Sequence, residues 1–245
     1  MDSHEGAIRQ QGRCPTRISE GRNMTGLFDI LGPRMVGPSS SHTAGACRLG
    51  YVVQSIVGGS PDTAVIGLHG SFAMTGEGHG TQVAILGGLL GFRPDDPRIR
   101  DSQELSQSAG LEARFEIIDL GEQAHPNTAR FDVVRGDDRV EITGCSIGGG
   151  RIRVQQIDGF EVDLSGSLPT IVIVGDDVPG TVAEITGMIA GHDLNLATIR
   201  VDRTGRGEKA LMTIETDEDV PLPVLEELME RPWVHWIRNV HKLND

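Results

Sequence analysis

Several residue types that support whole classes of chemistry are scarce in this chain of 245 residues. Its two lysines are Lys209 and Lys242, so residues 1–208, which carry the unusual motifs described below, contain no lysine. Enzymes hold pyridoxal phosphate as a Schiff base on a lysine of the active site. The composition therefore argues against a pyridoxal-dependent reaction.

Cysteine is also scarce. The three thiols belong to Cys14, Cys47 and Cys145, and their spacing matches no metal-binding clip. An odd number of thiols argues against a disulfide scaffold and fits a reducing cytoplasm. A complete iron–sulfur site takes about four thiolates. We therefore expect no complete cluster site on this chain alone and predict no metal ligand in it.

Long apolar runs are missing as well, since no stretch reaches the roughly 18 apolar residues of a membrane span. Residues 1–23 are polar, lack the apolar centre of a secretory signal and are expected to form a disordered tail. The net charge of −13 opposes binding to nucleic acid phosphates. These features predict a soluble cytoplasmic protein that binds neither nucleic acid nor membrane.

The remaining sequence predicts two domains, 24–164 and 168–245, with a joint at 165–170. The second domain has the βαββαβ order of a ferredoxin-like fold. Its predicted strands are 168–175, 194–204, 208–216 and 233–241, and its predicted helices are 181–193, with apolar Val182, Ile185, Met188 and Ile189, and 221–231.

The first domain has a less regular pattern that predicts a mixed α/β (α+β) fold. Apolar spacing predicts helices over 43–57 and 81–91, and a strand with a glycine-rich turn over 63–72. Four alternating segments predict an antiparallel sheet. These segments are 114–119, 130–135, 139–145 and 151–159.

The first of four polar motifs is GPSSSHTAGA (37–46), which precedes a predicted helix. Serine and threonine cap helix starts, and a helix start also binds anions such as carboxylates. Five consecutive polar residues exceed what a cap requires, although an over-decorated cap is the alternative. The candidate ligand contacts here are Ser39, Ser40, Ser41, His42 and Thr43.

The second motif, GSFAMTGEGHGTQVA (70–84), is a glycine-rich loop with His79, Gly80 and Thr81 at its tip. Its glycines allow close backbone approach, and a histidine titrates near neutral pH, which suits proton transfer. A flexible turn with a solvated histidine is the alternative.

Two further motifs are weaker alone, because both also fit ordinary turns. HPNTARF (125–131) offers His125, Asn127 and Thr128. SIGGG (146–150) can expose consecutive backbone N–H groups as an anion nest. Its candidate residues are Ser146, Gly148 and Gly149.

Together with FDILGPRMVGPSSSHTAGACRLG (28–50), these motifs resemble, in order and spacing, the β subunit of bacterial L-serine dehydratase over about residues 26–160. The resemblance implies a lyase that converts L-serine to pyruvate and ammonia. It implies a 4Fe–4S cluster bound by an α subunit, and a β fold similar to the allosteric substrate-binding domain of phosphoglycerate dehydrogenase. It makes His79 the candidate proton-transfer group, with His42 beside it.

The segment from DDVPG (176–180) through HDLNLATI (192–199) resembles an ACT domain covering about 168–241. That resemblance implies dimerisation and an effector, L-serine or a related amino acid, at a dimer interface; dimerisation without a ligand is the alternative. The implied effector contacts are Asp177, Pro179, Gly180 and Asn195.

One departure affects the role of His79, because Gln82 follows GHGT where the family commonly has aspartate. The α subunit is therefore an alternative source of the base. A non-catalytic amino-acid sensor is the second interpretation of the whole chain. Phosphate-ligand binding at the SSSHT helix start is a third, and it is weaker because no basic cluster lies beside it.

Overall fold

The structure is a computed structural model of the chain and describes residues 34–243. The tail predicted at 1–23, the start of the first domain and Cys14 lie outside the described residues. Two sheets organise the described chain. The first has six strands and the second has four.

The six-stranded sheet has the strand order β2-β1-β3-β4-β5-β6. The predicted antiparallel arrangement is wrong for one strand, because β2 pairs in parallel with β1. The chain between these two strands passes through helices, which is the crossover that a parallel pair requires. The strands are β1 Thr63–Leu68, β2 Glu112–Ile117, β3 Thr128–Arg135, β4 Asp138–Gly148, β5 Arg151–Ile157 and β6 Phe160–Leu164.

Strand β6 was not predicted. It follows β5 through a two-residue turn at Asp158 and Gly159, both of which have positive φ (50° and 80°). Positive φ at both central residues is the geometry that closes a tight β-hairpin. The single Asp-Gly pair was therefore the available signal for this strand.

One long helix, α1 (Ala46–Val57), continues from a π-helical turn at Ser40–Gly45. It crosses α3 (Thr81–Leu89) at very short range. A Cβ added at Gly88 would lie 2.1 Å from the carbonyl oxygen of Cys47, so only glycine allows this approach. The remaining helical segments are α2 Ser71–Thr75, a 3₁₀ turn at Pro97–Asp101 and α4 Ser102–Ser108.

The second sheet has the antiparallel order β10-β7-β9-β8 and confirms the ferredoxin-like prediction. The elements are β7 Thr170–Asp176, α5 Thr181–Gly191, β8 Leu196–Arg203, β9 Lys209–Thr216, α6 Leu222–Met229 and β10 Val234–Val240. Of the apolar residues at helical spacing on α5, Ile185 and Ile189 are buried, whereas Val182 is 40% exposed.

Each face of the second sheet is buried against a different partner. On one face, Ile171, Ile173 and Met212 form a core with α5 and α6. On the other face, Val172 and Val240 belong to the core of the first domain, where β10 contacts α1. The helix that begins at the SSSHT segment therefore packs against both sheets.

Candidate active site

The SSSHT segment forms the first turn of a helix, and this turn is π-helical. Ser39 is the N-cap, and its hydroxyl accepts a hydrogen bond of 3.1 Å from the backbone N–H of His42. The Ser39 carbonyl accepts from the N–H of Thr43 at 2.9 Å. Single π-helical turns occur often at functional sites, because the extra residue redirects side chains. Here the turn presents His42.

Two hydroxyls from α2 hold one edge of the His42 ring. The His42 Nε2 atom lies 3.1 Å from Ser71 Oγ and 3.1 Å from Thr75 Oγ1. The buried ring of Phe72 meets the imidazole edge-on, with centroids 5.3 Å apart. The opposite ring nitrogen, Nδ1, lies 3.5 Å from Ser39 Oγ. The ring is therefore fixed in both position and plane.

Sequence reasoning identified His42 but missed Ser71 and Thr75. The available signal was a serine and a threonine four residues apart inside GSFAMT, because such a pair lies on one face of a helix. The flanking glycines made this segment look like a loop. The structure instead forms the five-residue helix α2 there.

The structure brings His42 and His79 together, with ring centroids 5.0 Å apart. The backbone that carries His79 is held by Thr43, whose buried hydroxyl donates to the His79 carbonyl at 3.0 Å. Both imidazoles are half-buried. A small molecule that reaches one of them therefore lies within reach of the other.

Burial is the main cause that lowers the pKa of His42. The neighbouring His79 lowers the pKa further, because two imidazolium charges repel each other. A hydrogen bond from the imidazole to the backbone of Ser71 opposes both effects. The neutral form of His42, which can accept a proton, is thus favoured near neutral pH.

The HPNT segment joins α2 to the first sheet. The Pro126 carbonyl accepts from the N–H of Ser71 at 2.7 Å. The Thr128 hydroxyl donates to the His125 carbonyl at 2.6 Å, and His125 Nδ1 accepts from the N–H of Asn127 at 3.2 Å. These hydroxyl and ring contacts are internal to the turn, as the turn interpretation predicts.

The SIGGG segment forms the β4–β5 hairpin, and it contacts two of the other motifs. The N–H of Ser146 donates to the Asn127 carbonyl at 3.0 Å. Gly45 packs directly on Ser146, where an added Cβ would lie 2.1 Å from the serine hydroxyl. Gly148 and Gly149 have positive φ (97° and 63°), as a tight glycine turn requires. All four motifs are thus connected by direct contacts.

Three polar atoms of these motifs are buried and have no hydrogen-bond partner in the described part of the chain: Thr81 Oγ1, Asn127 Oδ1 and Ser146 Oγ. Thr81 and Ser146 are fully buried, so in this conformation neither side chain offers surface to a ligand. Gly80, in contrast, is half-buried and has φ 68° at the start of α3. Three cavities of about 510–580 Å³ are lined by neither His42 nor His79.

The candidate effector residues of the second domain fall at opposite ends of its sheet. Asp177 follows the last residue of β7, and its carboxylate accepts from the N–H of Gly207 at 2.9 Å and from Arg203 at 3.2 Å. Asn195 precedes β8 and donates to Asp217 at 2.7 Å. Pro179 and Gly180 are exposed beside Asp177. Within one chain, Asn195 therefore does not lie beside Asp177, Pro179 and Gly180.

The described cysteines do not fit an iron–sulfur cluster. Burial raises the pKa of the Cys47 thiol to about 12 and also raises the pKa of Cys145, whereas cluster ligands are thiolates. Within residues 34–243, no group of three or more histidine, cysteine or acidic side chains is placed to hold a metal ion.

Among residues 34–243, no helix is both long and apolar enough to cross a bilayer.

Comparison with known proteins assigns both parts of this architecture. Residues 25–157 match the family model for the serine dehydratase beta chain, and residues 170–232 match the ACT domain. The chain therefore belongs to the serine dehydratase beta chain family and carries a C-terminal ACT domain.

Particular relatives agree with this assignment. The chain is 43% identical to the probable L-serine dehydratase, beta chain, of Bacillus subtilis, over 84% of this chain and 93% of that one. It is 38% identical to the L-serine dehydratase, beta chain, of Peptoniphilus asaccharolyticus, over 82% and 89% of the two chains. It is also 26% identical to the D-3-phosphoglycerate dehydrogenase of Bacillus subtilis, over 61% of this chain and 28% of that one.

Proposed function

We propose that this chain is the β subunit of an L-serine ammonia-lyase, which converts L-serine to pyruvate and ammonia together with an α subunit. The observation that carries the proposal is the pair of half-buried imidazoles, His42 and His79, 5.0 Å apart beside a helix start rich in hydroxyls. The beta-chain relatives support the substrate and the partner. In this proposal the iron–sulfur cluster is bound by the α subunit.

The substrate carboxylate binds at the first turn of the helix. Ser39 satisfies the N–H groups of His42 and Thr43. The first amides of the turn, at Ser40 and Ser41, have no carbonyl of their own helix to bond. The turn runs on into α1, so the positive end of the helix dipole lies there as well. A carboxylate is the anion that serine supplies to such a place.

His42 is the group that takes the Cα proton of serine, and His79 is the second titratable group beside it. We prefer His42 because Ser71, Thr75 and Phe72 fix its ring, and because burial lowers its pKa. A base must be unprotonated at the working pH and held in one geometry to act efficiently.

The reaction balances as follows. The Cα–H electron pair forms the Cα=Cβ bond as the Cβ–O bond breaks, and the proton and the hydroxide together make one water. The enamine product gains a proton at Cβ and loses one from its nitrogen, which gives the imine. Water then hydrolyses the imine to pyruvate and ammonia. This chain supplies the carboxylate contacts and the proton-transfer group.

The remaining loop residues complete the pocket in this proposal. His125 and Asn127 lie on the segment that hydrogen-bonds both to α2 and to the SIGGG hairpin. Thr43, Thr81, Thr128 and Ser146 are buried and act by holding these loops together.

The ACT domain binds L-serine or a related amino acid and dimerises. Because Asn195 lies at the other end of the sheet from Asp177, a site that uses both takes one residue from each of two chains. A location in the cytoplasm stays a prediction from composition.

The test is co-expression of this chain with its candidate α subunit under anaerobic conditions, followed by a pyruvate assay with L-serine. We expect pyruvate only when both chains are present, and loss of it when His42→Gln replaces the wild-type chain. If a cluster-loaded α subunit releases pyruvate at the same rate without this chain, the proposal is wrong. Serine binding to the isolated chain, with no partner-dependent activity, would instead support the amino-acid sensor.

A further inference from the structure

We propose that Ser71 and Thr75 are positioning residues that keep neutral His42 in the tautomer with its proton on Nε2. The nitrogen that accepts a proton is then Nδ1, on the Ser39 side of the ring. The tautomer follows from hydrogen bonds within this chain. Its importance for a reaction rests on the function proposed above.

The Thr75 hydroxyl has a single proton to donate. That hydroxyl donates to the Ser71 carbonyl at 2.9 Å, as helical threonines do to the residue four positions earlier. The same oxygen lies 3.1 Å from His42 Nε2. Having used its proton, Thr75 Oγ1 can only accept there, which favours Nε2 as the donor.

Ser71 completes a consistent network. Its hydroxyl lies 3.3 Å from Thr75 Oγ1 and 3.1 Å from His42 Nε2. When Ser71 donates to Thr75, both hydroxyl oxygens face Nε2 as acceptors. Every proton in the network then has a partner.

The alternative tautomer leaves two groups poorly satisfied. Its Nε2 lone pair would face the lone pairs of Thr75 Oγ1 at 3.1 Å. Its Nδ1 proton would have only Ser39 Oγ, 3.5 Å away, and this oxygen already accepts from the His42 N–H. A contact at 3.5 Å is beyond the usual range for such bonds.

His79 is the titratable group that faces the ring; the contacts from α2 come from neutral groups.

Histidine tautomers can be observed directly in the chain without its partner. We would label the histidines with ¹⁵N and record long-range ¹H–¹⁵N spectra about 1.5 pH units above the ordinary histidine pKa of about 6.5. The His42 signals are those that are missing from the spectrum of the His42→Gln variant. In the wild type we expect a pyrrole-type Nε2 and a pyridine-type Nδ1. A pyrrole-type Nδ1 would overturn the proposal.

The variants separate this role from a general effect on folding. In the double variant Ser71→Ala/Thr75→Val we expect mixed tautomers, and Thr75→Ser alone should keep the wild-type pattern. Thr186→Val is the matched control, because Thr186 makes the same bond to a carbonyl four residues earlier, on α5. An unchanged His42 spectrum in a folded double variant would also overturn the proposal.

Activity with the α subunit gives an independent readout. We expect Thr75→Val to lower kcat roughly tenfold, as loss of one hydrogen bond to a positioned group does, with little change in KM. Thr75→Ser should restore it. If the tautomer is as proposed but no serine is converted, the proposed function fails and this inference stands. If kcat is unchanged while the tautomer shifts, Ser71 and Thr75 are not positioning residues for the reaction.

Discussion

The buried hydroxyl of Thr43 donates a 3.0 Å hydrogen bond to the backbone carbonyl of His79. Thr43 belongs to the helix turn that presents His42, and His79 belongs to the glycine-rich loop. One side-chain bond thus sets the spacing of two motifs that are 36 residues apart. The imidazole pair depends on this bond, because the His79 side chain contacts the His42 ring and Thr43 holds the His79 backbone beside it.

The first prediction concerns this bond. Thr43→Val keeps the side-chain shape and removes the hydroxyl, which should cost about 1 kcal/mol of stability and release the His79 loop. Thr170→Val is the matched control, since Thr170 is equally buried and its hydroxyl also donates to a backbone carbonyl, that of Leu168. We expect similar losses in thermal stability, but a loss of pyruvate formation only for Thr43→Val. Equal activities would show that the Thr43–His79 bond has no part in the site.

The second prediction concerns pH. Burial and His79 lower the pKa of His42, so the base stays neutral below the ordinary histidine pKa of about 6.5. The acid limb of kcat/KM should therefore lie below that value. His79→Gln removes a repelling charge and should move the limb to higher pH. An acid limb that does not move in this variant would mean that another group sets it.

The same shift has a consequence for stability. A histidine with a lowered pKa in the folded state binds fewer protons there than in the unfolded chain. Its contribution to stability is present above the unfolded pKa and is lost as the pH falls toward the folded pKa. His42→Gln should therefore flatten the fall in stability over this pH window, which denaturant unfolding at several pH values would measure.

The sequence predicted much of the fold because local patterns decided it. Alternating apolar residues located most strands, and the ferredoxin-like order of the second domain is confirmed. The parallel pairing of β2 with β1 was missed, because an alternating segment does not reveal which neighbour it will pair with. The π-helical turn was also missed, since its form depends on how Gly45 packs against Ser146.

The site was partly predictable for a related reason. His42 and His79 stand in unusual polar motifs, so composition alone drew attention to them. Ser71 and Thr75 acquire their importance from a contact made across 29 and 33 residues of sequence. The burial of Thr81 and Ser146 likewise depends on tertiary packing, which motif spacing does not report.

The third prediction concerns the contact between Gly45 and Ser146. Gly45→Ala would place a methyl group 2.1 Å from the Ser146 hydroxyl oxygen and 2.8 Å from its Cβ. Such overpacking should cost about 1–3 kcal/mol. The double variant Gly45→Ala/Ser146→Gly should recover part of that loss. Gly187→Ala on α5 is the control, because it has open space around its Cβ and should stabilise the helix slightly. Additive effects of the Gly45 and Ser146 changes in a double-mutant cycle would argue against the contact.

The fourth prediction concerns the thiols. Burial raises the pKa of Cys47 to about 12 and its Sγ lies 3.3 Å from the Phe92 carbonyl, so almost no thiolate is present at neutral pH. In a Cys14→Ser background, we expect Cys47 and Cys145 to resist thiol reagents until the chain is unfolded. Rapid labelling of the folded protein would contradict this. It would also reopen the question of whether this chain contributes a cluster ligand.

The last prediction concerns the edge strand β8. Ile199 and Val201 are 38% and 44% exposed on this strand, and no strand within residues 34–243 pairs with its outer edge, which can therefore pair with a second copy. Dimerisation there would allow Asn195 of one chain to approach Asp177 of another. Within one chain, these two residues are separated by the length of β7, which is seven residues or about 20 Å. Ile199→Lys should therefore weaken both dimerisation in sedimentation experiments and serine binding in calorimetry. Leu222→Lys is the control, because Leu222 is 66% exposed on α6. If Ile199→Lys remains a dimer that binds serine normally, β8 is not the interface, and the effector site does not depend on it.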